Sequence, residues 1–104
     1  RSAEPDDVAR AIDRLVAENT YNFGNLLETL PPGSIRLLKA VAKEGKVREL
    51  TAGAFMARYG LHANSSVKLS LVKLMDAGLI SRDDAGNYLV DDRLFGIWLA
   101  RQGR

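Results

Sequence analysis

Apolar side chains recur at helical spacing in five stretches of this chain and switch to short strand-like runs near residues 80 and 89. Val8, Ile12, Leu15 and Val16 give one apolar face to a first helix, opened by Pro5, with Asp6 and Asp7 favoured beside the positive end of its dipole. Beyond Asn19, Tyr21 to Leu30 reads as a shorter second helix or an irregular packed strap, because Gly24 weakens a helix interior. Leu30-Pro31-Pro32-Gly33 is a break. Ser34 is the expected cap of a helix running to about Glu44, with Ile35, Leu38, Val41 and Ala42 inward and Gly45 as its stop. Lys46 to Leu50 is a short extended connection. Thr51 is the next expected cap, for a helix through Ala54, Phe55, Met56 and Tyr59, and Gly60 supplies a tight turn.

The clearest pattern comes next. At about 100° per residue, Val67, Leu71, Leu74 and Gly78 fall on one line, flanked by Ser70 and Met75, which predicts a buried stripe. Asn64 and Ser65 are candidate caps for the start of this helix, and Gly78 marks its end. Leu79-Ile80 then continues in strand pattern, Asp83-Asp84-Ala85-Gly86-Asn87 has the chemistry of a turn, and Tyr88-Leu89-Val90 returns as a second strand. Asp91 or Asp92 caps a last helix carrying Leu94, Phe95, Ile97, Trp98 and Leu99. Two helices joined by a tight turn and followed by a hairpin form a winged helix-turn-helix. The expected fold is therefore mainly α with a small β-hairpin, a winged helix-turn-helix with extra N-terminal and C-terminal helices. Residues 1–30 read as a helical linker or strap and 31–104 as the winged-helix domain.

Composition narrows the function classes. A chain of 104 residues builds one small core and has no room for a second domain with its own pocket. A net charge of +2 is too mild to imply nucleic acid by itself. With no cysteine there are no disulfides or thiolate metal sites, which fits a reducing compartment. No apolar run reaches membrane-spanning length, the first residues lack the apolar core of a secretory signal, and a cytoplasmic location is expected. A first residue of Arg instead of Met suggests a piece of something longer.

Candidate chemistry concentrates on the outer face of the 64–78 helix, where the same phase places Ser65, Leu69, Val72, Lys73 and Asp76, with Ser66 and Lys68 at the borders. In a DNA-reading winged helix this face enters the major groove, and Lys, Arg and hydroxyl groups grip phosphate or base edges. Ser65, Ser66, Lys68, Lys73 and Arg82 are the candidate nucleic-acid contacts, whereas Leu69 and Val72 are the candidate contacts to a protein partner. Asp76 would repel a DNA backbone, and Asp83 and Asp84 offset Arg82 on the wing. From Arg36 to Arg58, six cations (Arg36, Lys39, Lys43, Lys46, Arg48, Arg58) stand against Glu44 and Glu49, a local net charge of +4. Such a patch attracts phosphate, although charges along helices are more often a solvated face.

Enzyme chemistry finds little support. His62 has no second histidine or cysteine at metal spacing and reads as an exposed or locally hydrogen-bonded turn residue. The Asp83-Asp84 and Asp91-Asp92 pairs are explained by turn formation and helix capping. Tyr21, Phe23, Phe55, Tyr59, Phe95 and Trp98 could serve as base-stacking aromatics, but their spacing favours core packing, with Tyr88 partly exposed on the wing. No catalytic, cofactor or metal residue is expected in this fragment.

Several of these pieces together resemble a known family. Leu30-Pro31-Pro32-Gly33-Ser34 leads into Leu37-Leu38-Lys39-Ala40-Val41-Ala42-Lys43-Glu44-Gly45. Asn64-Ser65-Ser66-Val67 follows with Leu71, Leu74 and Gly78-Leu79-Ile80, then Tyr88-Leu89-Val90-Asp91-Asp92-Arg93-Leu94-Phe95 with Trp98-Leu99. Across residues 26 to 101 this looks like the C-terminal winged-helix domain of archaeal-type P-loop ATPases related to the AAA+ and STAND groups. The acidic cap followed by a Phe-x-x-Trp-Leu helix is its most specific part. Asp92-Arg93 stands where the family usually has Asp-Pro. The resemblance implies an ATP-binding domain upstream and an accessory, docking or regulatory role for these residues. The implied partner is the parent ATPase domain or a neighbouring subunit; the residues of the outer helix face leave double-stranded DNA open as a further partner, and the absence of a long apolar run argues against a membrane. Gly45-Lys46 is followed by Val47 and preceded at five residues by Ala40, so these residues contain no phosphate-binding loop of their own. The alternative is a DNA-binding winged-helix transcriptional regulator, ranked below docking because Leu69 and Val72 occupy the outer helix face.

Overall fold

The computed structural model describes residues 5–102 and arranges them as α1 (Pro5–Glu28), α2 (Pro32–Glu44), α3 (Gly53–Tyr59), α4 (Asn64–Asp76), β1 (Ile80–Arg82), β2 (Tyr88–Val90) and α5 (Arg93–Arg101). Helices dominate, and β1 and β2 form a two-stranded antiparallel sheet, as the patterning predicts for a winged helix. α2 is the central helix, packed against both α4 and α5. Leu37, Leu38 and Val41 of α2 are fully buried with Leu74 of α4 and Leu99 of α5, and Ile80 and Phe95 are nearly so. Removing this much aliphatic and aromatic surface from water is what holds the small domain together.

The N-terminal region differs from the sequence expectation. α1 runs unbroken through Asn19 and Gly24, so there is neither a second short helix nor an irregular strap over 21–28. An interior glycine costs a helix about 1 kcal/mol relative to alanine. Burying the neighbouring Phe23 outweighs that cost. Its ring lies 5.1 Å from that of Phe95 and 5.6 Å from that of Trp98, forming an aromatic cluster between α1 and α5. Continuity of the helix also corrects the placement of Tyr21. Two residues from Phe23, it is rotated by about 200° around the axis, and it stays 79 % exposed instead of joining the core. Of the apolar face expected from Val8, Ile12, Leu15 and Val16, Val16 is buried and Ile12 half-buried, whereas Val8 and Leu15 are exposed.

Three expected caps are also corrected. α2 starts at Pro32 with Pro31 as its cap residue, which places Ser34 inside the first turn, where it is buried. Proline's fixed φ suits the first helical position, and the cap lies three residues earlier than expected. α3 is preceded by Ala52, with Thr51 in the turn before it, and α4 by Ala63, so Asn64 and Ser65 are already helical. None of these three helices has a side-chain cap. At α5 the expectation holds: Asp92 Oδ1 accepts a 3.0 Å bond from the Phe95 N–H.

Gly78 follows α4 with a φ of 76°, a left-handed conformation that turns the chain directly into β1. The hairpin pairs Ile80 with Val90, Ser81 with Leu89 and Arg82 with Tyr88. Val47, from the connection after α2, adds an isolated bridge to Tyr88 through two backbone hydrogen bonds of 2.9 and 2.7 Å. Tyr88 is thereby held on both sides, and residues 46–48 are brought alongside the wing. None of the described helices is long and apolar enough to cross a membrane.

Candidate recognition surface

The buried stripe of α4 is the anchor for everything its other face presents. Val67 and Leu74 are buried and Leu71 is half-buried, which turns Ser65, Ser66, Lys68, Leu69, Val72, Lys73 and Asp76 outward; all seven are exposed. These candidates therefore share one accessible helix. Leu69 keeps 59 % of its surface in water, Val72 56 % and Met75 39 %. Met75, expected beside the buried stripe, belongs instead to the open face, because the inward space is filled by Leu71 and Leu74. Residues three apart on a helix overlap along its surface, so Leu69, Val72 and Met75 make a continuous apolar band. Lys68 lies within the band's span, and Ser66 and Lys73, three and four residues from Leu69, border it on the same outer side.

Arg82 is exposed on β1, apart from α4 in sequence and secondary structure. It is not a free cation: its guanidinium stacks over the Tyr88 ring at 5.1 Å, and its Nε donates to the Gly86 carbonyl at 3.3 Å. The wing turn is tied just as firmly. Asn87 N–H donates to Asp83 Oδ1 at 2.8 Å, and Lys46 Nζ lies 3.5 Å from Asp83 Oδ2. The Asn87 amide and then the Lys46 ammonium hold the Asp83 carboxyl below its usual range.

The wing's charge differs from what its own residues imply. A Cβ placed on Gly86 would meet Arg82 Nη2 at 3.6 Å and Arg48 Nη1 at 3.9 Å, so two guanidinium groups flank the turn. With Lys46 on Asp83, three cations accompany Asp83 and Asp84, and the expected acidic tip is compensated from across the chain. Lys46 and Arg48 arrive through the Val47–Tyr88 bridge, a pairing of distant residues that no local pattern announces.

Glu44 joins α2 to α3. The Tyr59 hydroxyl and the Arg58 guanidinium each donate to Glu44 Oε2 at 2.6 Å. The Tyr59 bond, then the Arg58 bond, hold Glu44 below the ordinary carboxylate range, while burial and the same carboxylate raise Tyr59. Tyr59 also packs on Phe55 at 5.2 Å between ring centroids. His62 lies exposed in the turn between α3 and α4. No group of three or more histidine and carboxylate side chains is placed to hold a metal among the described residues.

This geometry presents an outward helix, a tethered wing and an apolar band on one small domain. Neither the comparison with curated proteins nor that with solved structures gives a match. Residues 21–101 match the model of a family described as a probable winged helix domain, which covers α4, the wing and α5 together with the C-terminal part of α1, and the chain belongs to that family.

Proposed function

We propose that this chain is a non-catalytic winged-helix accessory domain of a P-loop ATPase, which docks through the outer face of α4 on the nucleotide-binding domain of its parent protein or a neighbouring subunit. The observation that carries the docking reading is the band of Leu69, Val72 and Met75. Three large apolar side chains on the outer face of a recognition helix suit a protein surface better than the polar edge of a DNA groove. Asp76 at the end of the same face adds repulsion toward phosphate. The ATPase parent is supported by the resemblance over residues 26–101, with its acidic cap and Phe95-x-x-Trp98-Leu99 helix. Nucleotide-dependent movement upstream would then reposition the α4 face relative to its partner.

The test is association of residues 1–104 with the upstream nucleotide-binding domain, with and without the Leu69→Ser and Val72→Ser pair. Both positions are exposed, so the pair should leave folding nearly intact and weaken association by about tenfold or more. Unchanged association would overturn the docking surface. An upstream sequence without a phosphate-binding loop would overturn the ATPase parent.

A second reading, contact with double-stranded DNA, is favoured by one specific observation: Lys46, Arg48 and Arg82 gather at the wing. With Lys68, Lys73, Ser65 and Ser66 on α4 they would grip phosphate. Binding of mixed duplex DNA that weakens steeply between low and moderate salt would support this reading, and no binding at low salt would dismiss it.

A further inference from the structure

A groove of about 630 Å³ lies between α2 and α3 and shares no residue with α4. Its size falls within the roughly 300–1,000 Å³ of pockets that enclose a drug-sized ligand, enough to seat large apolar side chains. Pro32, Ile35, Ala40 and Tyr59 supply its apolar lining. Arg36, Lys39 and Lys43 line it from α2, and their spacing of three and four residues places them in one row along the helix. None of the three forms an ion pair with a carboxylate among the described residues. Arg58 completes the lining, but its charge is already matched by Glu44 at 2.6 Å.

The groove therefore combines an apolar floor with a one-sided row of three uncompensated cations. Phosphate would find cations at the rim but no free donor below. The Tyr59 hydroxyl already donates to Glu44, and the Glu44 carboxylate beside it is itself negative. A helix carrying carboxylates three and four residues apart on one edge and apolar residues on the next satisfies both parts of the groove, in the helix-in-groove mode of recognition. We propose that the α2–α3 groove binds an acidic amphipathic helix of a protein partner, its apolar side chains seated on Ile35 and Tyr59 and its carboxylates on Arg36, Lys39 and Lys43.

The probe is a fluorescein-labelled helical peptide of about 14 residues with Leu and Phe on one face and Glu flanking them, a length of about four turns. It is titrated against the full 104-residue chain by anisotropy and by amide chemical shifts. The expected result is saturable binding that shifts the resonances of Ile35, Lys39 and Tyr59. It should weaken about tenfold in the Lys39→Glu, Lys43→Glu pair and weaken again as salt rises. The Leu69→Ser, Val72→Ser pair should bind the peptide as the native chain does, which separates this groove from the α4 surface. Circular dichroism of the charge-reversed pair should remain native, since Lys43 is exposed and Lys39 half-buried. Absence of saturable binding, equal affinity in the charge-reversed pair, equal affinity for the same peptide with Lys in place of Glu, or displacement of the peptide by duplex DNA would each overturn the proposal.

Discussion

Leu74 and Leu69 lie five residues apart on α4 with opposite surroundings, and substituting each by alanine tests the orientation on which the recognition surface rests. Leu74 is fully buried and Leu69 is 59 % exposed. Truncating a buried leucine loses its transfer free energy and leaves a cavity, together about 2–5 kcal/mol. Full burial of a leucine is worth about 1.5–3 kcal/mol. Leu69 gains less than half of that, so Leu69→Ala should cost about 1 kcal/mol or less. In a domain of this size each kcal/mol moves the melting midpoint by about 4–8 °C. Leu74→Ala should therefore lower Tm by on the order of 10–30 °C and Leu69→Ala by only a few degrees. Trp98, the single tryptophan, is buried in the cluster with Phe23 and Phe95, so its fluorescence follows unfolding in urea without a label. The midpoints should separate widely while the slopes stay alike. Equal losses from the two substitutions, or a larger loss from Leu69→Ala, would refute the assigned faces of α4 and the apolar band with them.

Asp92→Ala removes the side-chain cap of α5 and should cost about 1 kcal/mol, read as a shift in the urea midpoint. Gly78→Ala meets no neighbouring atom within 4 Å, so its cost is conformational, about 1–2 kcal/mol for a left-handed residue with a Cβ, and a neutral result would contradict the φ of 76°. Glu44 and Asp83 both have pKa values lowered by folding, so their stabilisation is complete above the ordinary carboxylate range and is lost as pH falls through their lowered folded values. Glu44→Gln should reduce stability at neutral pH and flatten its decline on acidification below about pH 4.5, and an unchanged acid profile would dismiss the Tyr59–Glu44–Arg58 contact as a stabilising one.

Local chemistry made much of the fold readable. The stripe of Val67, Leu71 and Leu74, the Gly78 turn, the Asp83–Asn87 turn and the Asp92 cap are each encoded within a few residues, and all appear in the structure. The continuity of the N-terminal helix is not legible locally, because Gly24 signals weakness there, whereas Phe23 is anchored by residues more than seventy positions away. Serine, threonine and asparagine before an apolar run suggested caps, but Pro31, Ala52 and Ala63 take those positions with no side-chain bond at all. On the recognition surface, helical phase sufficed to turn Leu69, Val72 and Lys73 outward. The gathering of Lys46, Arg48 and Arg82 depends on one backbone bridge to Tyr88, and the Tyr59–Glu44 bond joins residues fifteen apart on different helices. Pairings of that kind carry no periodic signature.

The unbroken α1 has a mechanical consequence. As a helix of 24 residues it is about 36 Å long, and Phe23, near its C-terminal end, packs against both Phe95 and Trp98, while Val8 and Leu15 nearer its start face water. The described body is correspondingly long, 50 Å against 30 and 25 Å. A torque applied to the first turns of this rod has no joint in which to dissipate before it reaches the ring stack. Swivelling α1 independently of α5 would therefore require separating Phe23 from both rings.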